Sequence, residues 1–346
     1  MDGNDKTREF SPDAADFSSP LIDTHIHALP VSLLDQITDH EVDGLSASKV
    51  DGGWQVSVPG GSPPKLVRPL MVDAGQRAAW ADTQGLTSQV VSPWLDAQPT
   101  GAMPEAAARD WARRLNTALA EQESGHAVLA TVALTGHVAR DLQTAVDQDG
   151  MTGLILSTNP PGASDLADPA LEALWETAAG LGVPVVLHPP ADGPARALPG
   201  SAEFGNTFCR LVDTTFAVTK LLLSGVLDRH PGLRLIVVHG GGFLPYQSMR
   251  LDGGHRADGL AHYVIERDSP SDYLADLFFD TVAMKAASIR LLAESAGAGQ
   301  VLLGSDYPFP LGDRGPVATV RSAGLGEAAT ASVLGGNAAR LFPSAK

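Results

Sequence analysis

Short apolar runs alternate regularly with segments of helical periodicity along this chain, and this alternation limits the folds that it can adopt. Most runs are almost continuously apolar and rich in β-branched residues, as in VPVVLH and RLIVVH. Such runs are typical of strands buried on both faces of a parallel sheet, because a half-exposed strand alternates apolar and polar residues. The predicted strands cover residues 21–27, 87–92, 127–133, 153–157, 183–188, 234–239, 277–281 and 300–305.

Segments between these runs have the spacing of amphipathic helices. Eight strands that alternate with helices predict an α/β fold, a TIM-like (β/α)8 barrel. The chain has 346 residues, which is long for one domain but ordinary for a barrel of this kind. We therefore predict a single barrel domain over residues 21–346. The predicted helices cover residues 105–123, 138–148, 169–181, 211–227 and 284–295.

Two segments depart from this alternation. Residues 31–76 are too long for a strand-to-helix turn and are rich in Gly, Pro and Asp. We interpret them as an inserted hairpin or lid after the first strand, at the barrel end where loops line active sites. Residues 1–20 are polar and lack the apolar run of a signal peptide, so we expect a disordered tail.

Composition excludes several classes of function. The formal net charge is −16 and no Lys or Arg residues cluster, which argues against a nucleic-acid partner. No apolar stretch approaches the ~20 residues that a membrane span requires, so we expect a cytoplasmic protein. The single cysteine, Cys209, rules out an intrachain disulfide and a thiolate metal cluster. Histidine and carboxylate side chains must therefore hold any metal.

Histidines and one aspartate stand at the ends of four predicted strands. His25 and His27 are two residues apart, so both face one side of the first strand. An HxH pair alone has two equally good explanations: two histidines on an edge strand, or half of a metal site. His188, His239 and Asp306 follow three other strands, where barrel enzymes place catalytic groups. This combination favours a metal site.

We predict that His25, His27, His188 and Asp306 bind one divalent metal ion. Neutral imidazoles with one carboxylate suit Zn²⁺ best, and Mn²⁺, Fe²⁺ or Co²⁺ accept the same ligands. The fourth strand ends in LILSTNPP without a lysine that could bridge a second ion. His239 is assigned as general acid/base, since a histidine near a dication titrates close to neutral pH. The alternative is that His239 is a fourth histidine ligand.

These residues lie in motifs that resemble the amidohydrolase-related family of decarboxylases and hydratases. The resemblance runs over residues 21–342, and GSDYPFPLG is its most specific segment. It implies the same four metal ligands, a catalytic His239 and a homodimer. The motifs are DTHIHALP, RAAWADTQGLTSQVVS, VVLHPP, LLLSGVLDRHPGLRLIVVHGGG, GSDYPFPLGD and GGNAARLF.

The resemblance also implies substrate contacts. Arg68 and Arg250 match arginines that hold a substrate carboxylate, the second of them from the neighbouring subunit. A guanidinium suits this role because it stays charged and offers a bidentate fork. Phe309 matches an aromatic residue that lines the pocket. Where the family has Trp-Asp after its His-Pro pair, this chain reads PAD at positions 190–192, which predicts a differently shaped substrate.

Our leading hypothesis is therefore non-oxidative decarboxylation of a small unsaturated or aromatic carboxylic acid. A hydratase or hydrolase that uses the same metal-bound hydroxide is the first alternative, because the sequence does not separate water addition from CO₂ loss. The second is an inactive barrel that binds a carboxylate. A complete set of strand-end residues favours an enzyme over the inactive barrel, since a binding protein has no need of an acid/base.

Overall fold

The computed structural model describes residues 20–38, 43–61, 64–257 and 263–345. Its strands are short, and most of them coincide with the apolar runs of the sequence. They are β1 (Ile22–Ala28), β2 (Ser46–Val50), β3 (Gly53–Ser57), β4 (Lys65–Val67), β5 (Ser88–Pro93), β6 (Ala127–Ala130), β7 (Gly153–Ser157), β8 (Pro184–His188), β9 (Arg234–Val237), β10 (Leu277–Asp280) and β11 (Val301–Leu302).

Eight of these strands form a nearly closed parallel barrel in the order β1-β5-β6-β7-β8-β9-β10-β11. The segment after β11 continues alongside β1 and brings the two ends of the sheet together. The Thr24 N–H donates to Leu303 O at 2.8 Å, and the Asp306 N–H donates to His25 O at 2.9 Å. The predicted barrel is confirmed.

The last strand is shorter than predicted. Residues 300–305 were expected to be extended, whereas β11 ends at Leu302. Beyond it, the Gly304 N–H donates to Thr281 Oγ1 and the Ser305 N–H donates to Asp23 Oδ1, both at 3.1 Å. Side chains therefore satisfy backbone groups that a regular ladder would otherwise pair.

Helices surround the barrel, and the predicted ones are present with small changes at their ends. The segment 211–227 is divided because Gly225 adopts a left-handed conformation (φ 73°), which ends the first helix. The helices are α1 (Val31–Gln36), α2 (Pro69–Val72), α3 (Ala74–Gln84), α4 (Glu105–Gln122), α5 (Val138–Asp147), α6 (Glu172–Leu181), α7 (Arg210–Leu223), α8 (Val226–Arg229), α9 (Leu244–Arg256), α10 (Ala286–Ala296), α11 (Pro316–Arg321), α12 (Glu327–Ala331) and α13 (Asn337–Leu341).

The segment after β1 contains a second, small sheet. Strands β2, β3 and β4 pair antiparallel in sequence order. Trp54 and Val67 from this sheet share a hydrophobic cluster with Leu33 of α1 and Met71 of α2. The sheet therefore packs on the same apolar surface as the short helices that flank it.

The barrel strands present different residues to the inside and the outside. On β8, Val185 and Leu187 pack in the cluster beneath the surrounding helices, whereas Val186 packs inside the barrel. Phe342, which follows α13, closes the lower end of this inner cluster. His188 continues the inward-facing row at the upper end, as the strand period of two requires.

None of the described helices is both long enough and apolar enough to cross a membrane. The disordered tail predicted for residues 1–20 lies outside the described residues, apart from Pro20.

Candidate metal centre

His25 and His27 project from β1 into the upper end of the barrel. Both side chains are buried, and their Nε2 atoms lie 3.1 Å apart. The pairing of β1 with β5 shifts register between Asp23 and Ile26, directly around the first histidine. A shift of this kind re-aims side chains, and it is common next to functional sites.

A carboxylate fixes the orientation of His25. The His25 Nδ1–H donates to Asp280 Oδ2 at 2.6 Å. Although burial raises the pKa of Asp280, its hydrogen bond to His25 and the charge of that ring keep the pKa below its usual value. Asp280 is therefore an acceptor, and the Nε2 lone pair of His25 points into the site.

The imidazoles of His27 and His188 also donate through Nδ1–H and direct Nε2 into the site. The Ser92 hydroxyl donates to Ile26 O at 2.8 Å, so it accepts from His27 Nδ1–H at 3.0 Å. The His188 Nδ1–H donates to Pro189 O at 2.8 Å. Both Nε2 atoms consequently carry lone pairs, as metal binding requires.

Asp306 completes the group from the segment after β11. Its backbone has a positive φ of 62°, which turns the side chain toward the histidines. Asp306 Oδ1 lies 3.4 Å from His25 Nε2 and 3.2 Å from His27 Nε2, and Oδ2 lies 3.7 Å from His239 Nε2. Burial raises the pKa of Asp306, but the His25 charge and the contacts with His239 and His27 outweigh it and hold the pKa well below its usual range.

Buried polar atoms without partners converge at this point. Among the described residues, His188 Nε2 and Asp306 Oδ1 are buried and take part in no hydrogen bond. The Nε2 atoms of His25 and His27 face each other as two acceptors, which is unfavourable without a cation between them. Ligand atoms about 2.1 Å from a shared ion lie about 3.0–3.4 Å from one another, and the distances of 3.1, 3.2 and 3.4 Å agree. The site fits a divalent metal ion.

Burial keeps two of the imidazoles neutral. It lowers the pKa of His27 to about 4 and the pKa of His188 well below its usual value. The pKa of His25 is raised instead. Burial lowers this pKa, but the carboxylates of Asp306 and Asp280 raise it by more than burial lowers it. Neutral imidazole is the form that binds a metal.

His239 lies two residues after the end of β9, at the start of a short 3-10 turn, and its ring lies in the same site. It has a positive φ of 56°, and its ring centroid lies 5.1 Å from that of His188 and 5.3 Å from that of His25. Its Nδ1 is buried and has no hydrogen-bond partner in the described part of the chain. His25, His188, His239 and Asp306 also form a set whose ligand atoms all lie within 4.8 Å of one another.

A cavity of about 830 Å³ opens above these side chains. Arg68 and Phe309, both singled out in the sequence, line it. The Phe309 ring contacts the His27 ring edge-on, with centroids 5.1 Å apart. Arg250 lies instead on the exposed side of α9 and is not among the described residues that line the cavity.

Sequence reasoning missed three polar residues near the site. Asp280 ends β10 as His188 ends β8, so its position in LFFD was a usable signal. Tyr246 and Arg210 line the cavity from helices, where no strand-end pattern identifies them. Burial raises the pKa of Tyr246 to about 12, so its hydroxyl keeps its proton.

A protein-family model described as amidohydrolase matches residues 22–344. The protein belongs to the amidohydrolase family. The resemblance inferred from the sequence motifs is thereby confirmed for nearly the whole chain.

Two relatives within this family are decarboxylases. The chain is 28% identical over 205 residues to 2-amino-3-carboxymuconate-6-semialdehyde decarboxylase from Dictyostelium discoideum, a match that covers 58% of this chain and 55% of that protein. The match thus spans about half of that relative's length. It is 29% identical over 269 residues to gamma-resorcylate decarboxylase from a Polaromonas species, which covers 71% of this chain and 80% of that protein.

A solved structure has the same fold. It is a dihydroxybenzoic acid decarboxylase from a Polaromonas species with bound manganese and the inhibitor 2-nitroresorcinol. The TM-score is 0.75 at 23% sequence identity, and the superposition covers 94% of this chain and 97% of that one.

Proposed function

We propose that this amidohydrolase-family protein is a metal-dependent, non-oxidative decarboxylase of an unsaturated or aromatic carboxylic acid. The observation that carries the proposal is the convergence of unpaired Nε2 and carboxylate atoms beneath a cavity with cations in its wall. The two decarboxylase relatives favour CO₂ loss over the hydratase or hydrolase alternative. An inactive barrel has no use for buried acceptors that lack partners, because each one costs stability.

The proposed metal ligands are His25, His27, His188 and Asp306, with one ion bound. When bound, the metal would supply Lewis-acid polarisation of a substrate oxygen or of water. Three neutral imidazoles and one carboxylate suit Zn²⁺, whereas the related Polaromonas structure contains manganese. Zinc is therefore our first expectation and manganese the second. A single ion fits because β7 ends at Ser157 with no lysine to bridge a pair.

His239 is the proposed proton donor. Decarboxylation exchanges a carboxylate for a hydrogen on the same carbon, so a proton must reach that carbon before the carbon–carbon bond breaks. The electron pair of that bond then returns to the unsaturated system as CO₂ leaves. His239 lines the cavity, and its Nδ1 has no partner among the described residues, so no hydrogen bond within the described part of the chain competes with the substrate for this atom.

Substrate orientation is assigned to the cavity wall. Arg68 offers a positive charge, and Phe309 offers an aromatic surface beside His27. We propose that the protein acts as a homodimer and that Arg250, exposed on α9, contacts substrate in the neighbouring subunit. A cytoplasmic location remains a prediction of the sequence.

Metal analysis combined with a carboxylate screen tests the activity. Protein loaded with Zn²⁺ or Mn²⁺ is incubated with hydroxybenzoates and muconate-type acids, and CO₂ and product mass are followed. We expect CO₂ release and a product that has lost its carboxyl group. A product heavier by one water would establish the hydratase alternative. Failure to retain either metal would overturn the proposal.

Substitutions at two histidines separate the ligand from the proton donor. His239→Asn should keep the metal and lower turnover by about 100-fold or more, the usual contribution of general acid catalysis. His27→Ala should lose the metal. His137→Asn, in an exposed histidine before α5, is the matched control and should change neither property. If His239→Asn lost the metal and His27→Ala kept it, His239 would be the metal ligand and His27 the proton donor.

A further inference from the structure

Arg210 lies beside the proposed metal site and has no assigned role. It begins α7, directly after the π-helical turn Gly205–Cys209, and it lines the cavity. Its Nη1 donates to Pro189 O at 3.5 Å, the carbonyl that also accepts from His188 Nδ1 at 2.8 Å. The guanidinium thus contacts the peptide that orients a proposed metal ligand.

Arg210 forms no ion pair with a carboxylate of the described residues, although Asp96, Asp306 and Asp192 act on its charge from a distance. Its Nε is buried without a hydrogen-bond partner in the described part of the chain. The acidic groups of the cavity contact other cations: Asp96 Oδ2 lies 3.1 Å from Lys65 Nζ, and Asp192 Oδ2 lies 3.6 Å from the same nitrogen. Asp306 faces the imidazoles. Arg210 therefore keeps bonding capacity for an anion.

A second guanidinium lies on the same wall. Arg196 lines the cavity and passes so close to Gly205 that a Cβ there would lie 1.2 Å from its Nη1. Burial lowers the pKa of Arg210, and the charge of Arg196 lowers it further, although nearby carboxylates raise it. Arg196 Nε lies 4.0 Å from Asp192 Oδ1, at the limit of an ion pair, so the chain compensates its charge only weakly. Two guanidinium groups in one cavity repel each other, and an anion bound between them reduces this repulsion.

Arg77 is fully buried and differs from the partly buried Arg210 in its partner. Arg77 Nη2 bonds both carboxylate oxygens of Glu123, so the chain itself supplies the partner that a buried guanidinium requires. No equivalent carboxylate of the described residues forms an ion pair with Arg210. Its missing partner is better explained by a ligand than by the scaffold.

The chemistry of decarboxylation decides which substrate group suits this position. A carboxylate that leaves as CO₂ loses its negative charge during the reaction. A strong ion pair with it would stabilise the bound substrate more than the transition state and would slow the reaction. A partly buried arginine is better used on an acidic group that stays in the product.

We propose that Arg210, together with Arg196, binds a second carboxylate of the substrate, one that is retained in the product. The inference deepens the decarboxylase proposal and rests on it. It makes the preferred substrate an unsaturated or aromatic dicarboxylic acid. In the sequence, residues 190–192 (PAD) lie after His188 and before both arginines. They stand where the family has Trp-Asp, so this part of the cavity wall differs from that of the family.

Calorimetric binding to the metal-loaded protein tests this without turnover. The probes are isophthalate, which carries two carboxylates, and benzoate, which carries one. The wild-type protein should bind isophthalate at least about tenfold more tightly than benzoate, and Arg210→Met should remove this preference. The matched control is Arg114→Met, which removes an exposed charge on α4 and should keep it. Equal affinity of the wild-type protein for both acids, or unchanged isophthalate affinity in Arg210→Met, would overturn the proposal.

Further variants keep the result interpretable. Metal content and melting temperature of Arg210→Met are compared with wild type, and Arg210→Lys and Arg196→Met serve if that variant does not fold. Arg210→Lys should retain part of the preference, because it keeps the charge but not the bidentate fork. If no acid releases CO₂ but the preference depends on Arg210, the decarboxylase proposal fails and the carboxylate-binding role of Arg210 stands. If CO₂ is released but Arg210→Met still prefers isophthalate over benzoate, the carboxylate-binding role of Arg210 fails and the decarboxylase proposal stands.

Discussion

The interior of the barrel has two layers that are built from the same strands. The lower layer is apolar and includes Val186 of β8 and Ile236 of β9, closed from below by Phe342. The upper layer is polar and includes His188, two residues beyond Val186, and Asp280. Both layers are buried, yet burial favours folding in the lower layer and opposes folding in the upper layer.

In the lower layer burial stabilises the fold. A buried valine or isoleucine contributes about 1.5–3 kcal/mol relative to an exposed one. In the upper layer burial opposes charge and leaves acceptors such as His188 Nε2 without a partner in the described residues. The comparison teaches that the lower layer supplies stability and that the upper layer is retained for chemistry.

The largest effect is expected at the upper layer. His188→Ala removes a proposed metal ligand, so metal affinity should fall by more than about 100-fold, beyond the loss typical of an outer contact. The metal-free protein should unfold at a urea concentration close to that of the wild type, because the substitution removes one hydrogen bond, from Nδ1–H to Pro189 O, and an Nε2 acceptor that has no partner in the described residues. Pro189 O still accepts from Arg210 Nη1. Metal titration and urea unfolding measure the two quantities. A strongly destabilised metal-free variant would contradict the division between the layers.

Ile236→Ala tests the lower layer. It should reduce the free energy of unfolding by about 2–5 kcal/mol, because it removes buried methyl groups and leaves a cavity. The folded fraction should bind metal as the wild type does. Leu291→Ala, at an exposed leucine of α10, is the control and should change stability by less than about 0.5 kcal/mol. Loss of metal affinity in the folded Ile236→Ala protein would show that the layers are coupled.

The smallest effect is expected for the residue that orients a ligand. Asp280→Asn weakens the hydrogen bond that holds His25, so metal affinity should fall by about 10–100-fold. Asp276→Asn, at a partly exposed aspartate just before β10, provides the control and should leave affinity unchanged. An Asp280→Asn affinity equal to wild type would mean that packing alone orients His25.

The strand-end residues could be predicted because parallel strands deliver their carboxyl ends to one rim, whatever their separation in sequence. His25 and His188 are brought together in this way, with ring centroids 5.2 Å apart. Asp280 follows the same rule and could have been identified. The early end of β11 could not be predicted, because side chains such as Thr281 accept hydrogen bonds from the backbone that follows the strand.

Helix-borne residues were beyond sequence reasoning. Arg210 contacts Pro189, twenty-one positions away, only because the π-helical turn and α7 pack against the loop after β8. The position of Arg250 outside the cavity likewise depends on how α9 packs. A helical period describes which side of a helix is apolar, but not which loop that helix meets.

Local periodicity is enough to specify the alternation of strands and helices and to identify the residues at the strand ends. The tautomers of His25, His27 and His188 and the lack of a carboxylate partner for Arg210 among the described residues follow from three-dimensional packing. The tautomers of His25 and His27 depend on Asp280 and Ser92, which lie far away in the chain, and the tautomer of His188 depends on the conformation of the loop after β8. The surroundings of Arg210 depend on how α7 packs against that loop.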